Sequence, residues 1–230
     1  MKVVIVAGGN YDENLVKSFI DETEEDVFLI GADRGALSLI NSGYKIDIAI
    51  GDFDSVTDEE KETINTYSRK VKNLDPVKDA TDMECALRKA LDLCSYSDDY
   101  YNNIYIFAGT GTRLDHTLAN INLLYMVMCS SGQRIKENTK AYLIDGHNRI
   151  RLLQEKKTYV FYKDQLFGKY ISFLPFAGEV NGVKLKGFKY ENKLGYFFNG
   201  DSLGISNEAV DDMLSIYFEN GLLLMIESRD

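Results

Sequence analysis

The residues best equipped for chemistry are acids that follow apolar runs. "IGDFDS" at 50–55 leaves the run "YKIDIAI", which reads as a buried strand, and sets Asp52 and Asp54 either side of Phe53. In extended backbone residues i and i+2 point to the same side, so the two carboxylates would lie roughly 5–7 Å apart. At an effective dielectric near 20, like charges about 5 Å apart repel by about 3 kcal/mol. Solvent, a raised pKa or a bound cation has to offset that repulsion. Mg2+ takes carboxylate oxygens, usually one or two per site, and completes its shell with water and substrate phosphates. The plainer alternative is a solvated acidic turn, with Ser55 capping the next helix.

Three more strand ends carry polar residues. "GADRGA" at 31–36 places Asp33 and Arg34 after the second apolar run, where Asp33 can cap a helix or serve a site. In "DPVKDATDMECAL", Thr81-x-x-Glu84 fits a capping box, and acids in a first helical turn suit the helix dipole. That accounts for Asp79 and Asp82 structurally, yet a third acid near Asp52 and Asp54 would complete a metal-binding cluster. "AGTGTRLDH" at 108–116 has the makings of an anion site. Gly109 and Gly111 permit close backbone approach, Thr110 and Thr112 offer hydroxyls, and Arg113 is a bidentate phosphate donor before a helix N-terminus. Asp115 and His116 open that helix and can cap or buttress the loop. Neither a Walker loop nor a full G-x-G-x-x-G fingerprint is present.

Those segments need elements to position them. Through residue 132 apolar strands alternate with amphipathic helices: "KVVIVAG", "DVFLIGA", "DIAIG", "VKNLD" and "NIYIFAG" each precede a helical stretch. The alternation predicts an α/β domain with a mostly parallel sheet, helices on both faces and ligands beyond the strands' carboxyl ends. "SSGQRIKEN" reads as a linker. From Lys140 short β-like runs separated by Gly, Asn and Asp predict an antiparallel β-sandwich over 139–230, with Asp145-Gly146 and Asn220-Gly221 as hairpin-type turns.

Composition narrows the function. The 230 residues are 45% hydrophobic and 27% charged, as in an ordinary globular protein. A net charge of −10 argues against nucleic acid as the main partner. Cys85, Cys94 and Cys129 have no metal-like spacing and read as small core residues of a reduced compartment. No apolar run approaches the roughly 18 residues of a membrane span, and the N-terminus lacks a signal-peptide cleavage region. The expectation is a cytoplasmic enzyme without a membrane partner.

In this order "GADRGA", "GDFDS", "KDATDMECAL", "GTGTRLDH", "LPF", "VKLKGFKY" and "GISNE" resemble the thiamine pyrophosphokinase family over nearly the whole chain. The resemblance implies transfer of the pyrophosphoryl group of ATP to the hydroxyl of thiamine, giving thiamine diphosphate and AMP. It also implies Mg2+, a homodimer, and a Rossmann-like α/β domain joined to a β-sandwich. Carried over by motif, Asp52, Asp54 and Asp82 match the metal-binding and catalytic acids, and Arg113 joins them as a catalytic residue. Asp33, the loop Gly109, Thr110, Gly111, Thr112 and the pair Arg113 and Asp115 match the ATP side. Ser206 and Asn207, with Asp79 and Asp82, match the thiamine side, Ser206 and Asn207 reaching it across the dimer interface. A rival stands beside this: Asp52-x-Asp54-x-Val56 also satisfies the D-x-D-x-[TV] pattern of haloacid-dehalogenase-type phosphatases, with Asp52 as nucleophile. That motif normally ends the first strand of its domain, whereas two strand–helix units precede it here.

Overall fold

Val3, Val4, Ile5 and Val6 are completely buried. A strand with no exposed face belongs at the centre of a parallel sheet covered on both sides. In the computed structural model that strand, β1 (Lys2–Val6), lies mid-sheet. Beside it run β2 (Val27–Ala32), β3 (Ile46–Gly51), β4 (Ser68–Asn73), β5 (Asn103–Phe107) and β6 (Lys140–Ile144). All pair parallel, in the order β6-β5-β1-β2-β3-β4. The chain therefore marches from β1 to the β4 edge and then returns to the other side of β1. Ligand crevices open at such a reversal, outside the carboxyl ends of the strands. The β4 edge carries Arg69, Lys70 and Lys72, charges that discourage a further strand from pairing there.

The structure describes residues 1–23, 25–77, 79–97, 102–130 and 139–230, without the side chains of Cys129 and Ser130. The linker expected at 130–138 thus lies outside the described residues apart from the helical backbone of Ser130. The chain divides into two compact units, Met1–Gly146 and His147–Asp230.

Helices α1 (Glu13–Asp21), α2 (Arg34–Asn41), α3 (Asp58–Tyr67), α4 (Asp82–Tyr96) and α5 (Leu114–Ser130) fill the strand connections of the first unit. Both α2 and α4 pack over β1 to β3, yet α2 meets α3 while α4 meets α5. Helices that cover the same strands but pair with different neighbours lie on opposite faces. Local chemistry sets their ends. Thr57 and Glu60 close a full capping box on α3. Thr81 caps α4 by accepting from the Glu84 N–H, but the Glu84 carboxylate turns to Arg88 instead of completing the box. Gly43, at φ 93°, ends α2 in the left-handed region that a helix C-terminus favours.

In the second unit β7 (Asn148–Gln154), β8 (Tyr159–Tyr162), β9 (Tyr170–Pro175), β10 (Val180–Asn181), β11 (Lys184–Lys186), β12 (Tyr196–Phe197), β13 (Asn207–Glu208), β14 (Met213–Tyr217) and β15 (Leu222–Ser228) are antiparallel. The sheets β13-β9-β15-β7 and β11-β14-β8 share a core of Phe173, Leu185, Leu214, Ile216, Phe218 and Leu223, and β10 and β12 form a small ribbon. Two expectations change. Residues 140–144 look like the first strand of the β half, but β6 pairs parallel with β5 and belongs to the first unit. Asn220-Gly221 does not close a hairpin, because β14 and β15 belong to different sheets. Among the described residues no helix is long and apolar enough to cross a membrane.

Glu227 is 1% exposed and holds Arg149 through two hydrogen bonds of 2.7 and 2.6 Å, with the Phe167 N–H as a third donor. Removing one partner of a buried pair strands the other charge. Arg149→Met is expected to lower stability by about 3 kcal/mol in urea unfolding; an unchanged midpoint would show that the pair contributes nothing.

Candidate active site

The strand ends of the first unit are not left loose. The Gly9 N–H donates to the Ala108 carbonyl at 2.8 Å, and the Asn10 N–H to the Thr110 carbonyl at 2.8 Å. These bonds lace the turn after β1 to the turn after β5. A Cβ on Gly9 would stand 2.3 Å from the Thr110 oxygen, so only glycine fits. At the neighbouring pair, the Asp33 N–H donates to the Ile50 carbonyl at 2.9 Å. The turns carry three non-glycine residues with positive φ: Asp33 at 48°, Phe53 at 53° and Ala108 at 51°. Such conformations cost of order 1–3 kcal/mol each and persist only where the surroundings impose them.

Asp33 occupies the N-cap position of α2 but makes no side-chain cap bond. Its carboxylate instead accepts from the Ser55 hydroxyl at 3.2 and 3.1 Å. Burial raises the pKa of Asp33, the Arg34 N–H and the Ser55 hydroxyl pull it back, and Asp82 and Asp52 push it up again. Those last two contributions put Asp33 within electrostatic reach of Asp82 and Asp52. Gly35 makes the tight turn possible, because a Cβ there would meet the Val6 carbonyl at 2.0 Å.

Asp52 and Asp54 do not sit on an extended strand. β3 ends at Gly51, Phe53 turns left-handed and is 3% exposed, and the Asp52 carboxylate folds back to accept from the Asp54 N–H at 3.2 Å. The i, i+2 geometry therefore fails where the strand stops, although Phe53 does anchor the loop in the core. Nor does Ser55 cap α3, a role filled by Thr57.

A cleft of about 530 Å³ opens over the switch between β1 and β5, well within the usual range for small-molecule sites. It gathers the turn 8–10, Asp33, Asp82, the loop Gly109, Thr110, Gly111, Thr112, and Arg113 with Asp115. Asp52 borders a separate hollow of about 250 Å³ with Lys61 and Asn73, while Asp79 is an exposed residue of the turn before α4. Among the described residues no three His, Cys, Asp or Glu side chains form a ready-made metal group. A magnesium site that borrows phosphate oxygens does not need one.

The loop after β5 is pinned from below. Asn120 Nδ2 donates to the Gly109 carbonyl at 2.7 Å, the Thr110 hydroxyl to Asp145 at 2.9 Å, and the Gly111 N–H to the Thr117 hydroxyl at 3.3 Å. Sequence reasoning missed Asn120 and Gly9. A buried asparagine inside the apolar α5, and a glycine pair directly after β1, were the available signals. Arg113 is held by Asp115 through bonds of 3.2 and 2.6 Å, and Asp115 also accepts from the His116 N–H. In the second unit Ser206 has φ 57° and its N–H donates to the Ser172 hydroxyl. Asn207 is buried and its amide is committed to the Tyr190 backbone at 2.9 and 2.8 Å.

A parallel sheet with a glycine-edged, arginine-bearing cleft at its switch point defines a Rossmann-like α/β protein whose cleft carries groups that suit an anion. Residues 19–137 match the family model described as "Thiamin pyrophosphokinase, catalytic domain", and residues 156–223 match "Thiamin pyrophosphokinase, vitamin B1 binding domain". The chain belongs to the thiamin pyrophosphokinase family. It is 36% identical over 231 residues to thiamine pyrophosphokinase of Bacillus subtilis, covering all of both chains. The crystal structure of thiamine pyrophosphokinase from Bacillus subtilis superposes with a TM-score of 0.82 at 35% identity, covering all of both chains. That of thiamin pyrophosphokinase from Geobacillus thermodenitrificans gives 0.79 at 29% identity, covering 100% of this chain and 98% of that one. The phosphatase reading of Asp52 finds no support among these relatives, and β3 is the third strand of its sheet.

The Arg113 hydrogen bonds hold the Asp115 carboxyl down to about 2, below the ordinary aspartate value of 3.8, and Asp115 in turn raises Arg113. A depressed carboxyl keeps its partner above its unfolded pKa and loses it as pH falls through the folded value. The Arg113 Nε–H resonance is therefore expected to move with a midpoint at about pH 2; a midpoint at the ordinary carboxylate value would mean that the pair does not form in solution.

Proposed function

We propose that the protein transfers the pyrophosphoryl group of ATP to the hydroxyl of thiamine, giving thiamine diphosphate and AMP. The observation that carries this reading is the cleft over the β1–β5 switch, where the glycine loop, Arg113, Asp33 and Asp82 meet in a chain that matches both family domains. Pyrophosphoryl transfer asks for positioning and charge neutralisation more than for covalent catalysis. The loop 109–112 and the N-terminus of α5 receive phosphate oxygens, and Arg113 exchanges Asp115 for the anion. The thiamine hydroxyl oxygen attacks the β-phosphorus as the bond to the AMP oxygen breaks. A carboxylate of the acidic cluster takes the hydroxyl proton.

Asp52, Asp54 and Asp82 would hold Mg2+, which supplies charge neutralisation for the phosphates. The first 146 residues contain 25 of the 36 acidic and 15 of the 26 basic residues, so the whole net charge of −10 lies there. That surplus favours the cationic thiazolium and makes cation-assisted binding of ATP necessary. Asp79 stands at the entrance to α4 on the thiamine side. In the second unit Ser206 offers its hydroxyl to thiamine across a homodimer interface. Asn207, matched to the thiamine side by its motif, bonds the Tyr190 backbone with its amide and so fixes the loop that carries Ser206. The reaction belongs in the cytoplasm, where ATP is supplied.

Purified protein with Mg2+ and ATP is expected to release AMP only when thiamine is added, and EDTA to stop the release until Mg2+ is restored. Asp54→Asn should retain the fold by circular dichroism and lose nearly all turnover. Near-normal turnover in that variant would remove Asp54 from the metal role. Hydrolysis of phosphate esters without ATP, through a trapped aspartyl-phosphate, would return the phosphatase reading.

A further inference from the structure

The Asp33 turn is joined to the acidic loop after β3 by more than the sheet. Ser55 Oγ donates to both Asp33 oxygens, while Arg34 Nη1 donates to the Ser55 carbonyl at 2.9 Å. Two consecutive residues of one turn thus grip a single residue of the other, and that residue directly follows Asp54. The backbone beneath is already tied by the Asp33 N–H on the Ile50 carbonyl.

The contacts of Ser55 decide where the Asp33 carboxylate goes. An aspartate at a helix N-cap ordinarily turns its carboxylate onto the helix's own free N–H groups. Asp33 holds the N-cap position of α2, and although its carboxylate takes the adjacent Arg34 N–H, it makes no side-chain cap bond further into the helix. It is strained, half-buried and borders the cleft, and its carboxylate is drawn to Ser55. Ser55 is the side-chain donor that reaches the carboxylate from the acidic loop; without its hydroxyl the carboxylate keeps the Arg34 N–H of its own turn and loses the bond that fixes it against that loop.

We propose that Ser55 and Arg34 are positioning residues: together they lock the acidic loop to the Asp33 turn and hold the Asp33 carboxylate at the cleft, in the orientation that the reaction needs. This rests on the reading of the cleft as a pyrophosphoryl-transfer site. Neither residue touches a reacting atom. Ser55 acts through Asp33, and Arg34 acts through Ser55. A misplacement of about 1 Å at a group next to the chemistry can lower a rate about 100-fold.

The test uses the full chain with Mg2+, ATP and thiamine. Ser55→Ala is expected to lower kcat between about 10- and 100-fold with little change in KM for ATP or in thermal midpoint. Ser55→Thr, which keeps the hydroxyl, should restore most of the rate. In an Asp33→Asn background the same Ser55→Ala change should cost less than about twofold, because residues acting through one another are not additive. Arg34→Met should behave as a weaker Ser55→Ala. Wild-type kcat in Ser55→Ala, failure of Thr to rescue, or an undiminished loss in the Asp33→Asn background would each overturn the proposal. Hydrogen exchange of residues 51–57 in the unliganded protein decides the same question without turnover. Faster exchange in both Ser55→Ala and Arg34→Met supports the lock, and unchanged exchange overturns it. If the wild type releases no AMP, the functional reading falls, while the exchange experiment still judges the lock.

Discussion

Backbone hydrogen bonds that run on past the ends of the parallel strands hold the site of this protein together. Gly9 and Asn10 reach across to the turn after β5, Asp33 reaches to the last residues of β3, and the Leu74 N–H reaches the Gly51 carbonyl. Parallel strands usually let their connections diverge at once. Here the turns stay in register with their neighbours for one or two residues beyond the sheet. That extension forces positive φ on Asp33 and Ala108 and demands glycine at positions 9 and 35. Once it is made, the polar residues that follow four different strands or open their helices have little freedom left.

Electrostatics then works inside that frame. Acids outnumber bases in the first unit by ten, and Asp33 feels both Asp82 and Asp52 as well as its own burial. Arg113, the guanidinium of the cleft, spends its charge on Asp115 two residues away. Both partners of that pair are exposed, so it orients the guanidinium rather than stabilising the fold. The cleft thus combines the carboxylates of Asp33 and Asp82 with a guanidinium already held by a neighbouring acid.

The second unit follows a different logic. Its two sheets bury Phe173, Leu214, Ile216, Phe218 and Leu223 almost completely, and Glu227 is the buried charge among them, answered by Arg149. Its polar loops are consumed by structure more than sequence reasoning expected. Asn207 is the clearest case, an amide that looks available in "GISNE" and is spent on the backbone of Tyr190.

Much of this was legible in the chain alone, because it depends on local pattern. Apolar runs of four to six residues followed by amphipathic stretches specify strand and helix through burial periodicity. The motif segments fall in the turns that leave β2, β3 and β5 and in the one that enters α4. What tertiary structure alone decided concerns pairing and direction. Lys140–Ile144 has the alternation of an antiparallel strand, and only its neighbour β5 makes it parallel. Asp52 and Asp54 share a side in any extended backbone, but the strand stops at Gly51 because the chain must turn there to meet Asp33. Asp33 has the composition of a helix cap and becomes a cleft carboxylate because Ser55, 22 positions away in sequence, is brought within hydrogen-bonding distance. Residue type and spacing determine what a segment can do by itself. Which of those options it takes is set by the groups that long-range pairing places beside it.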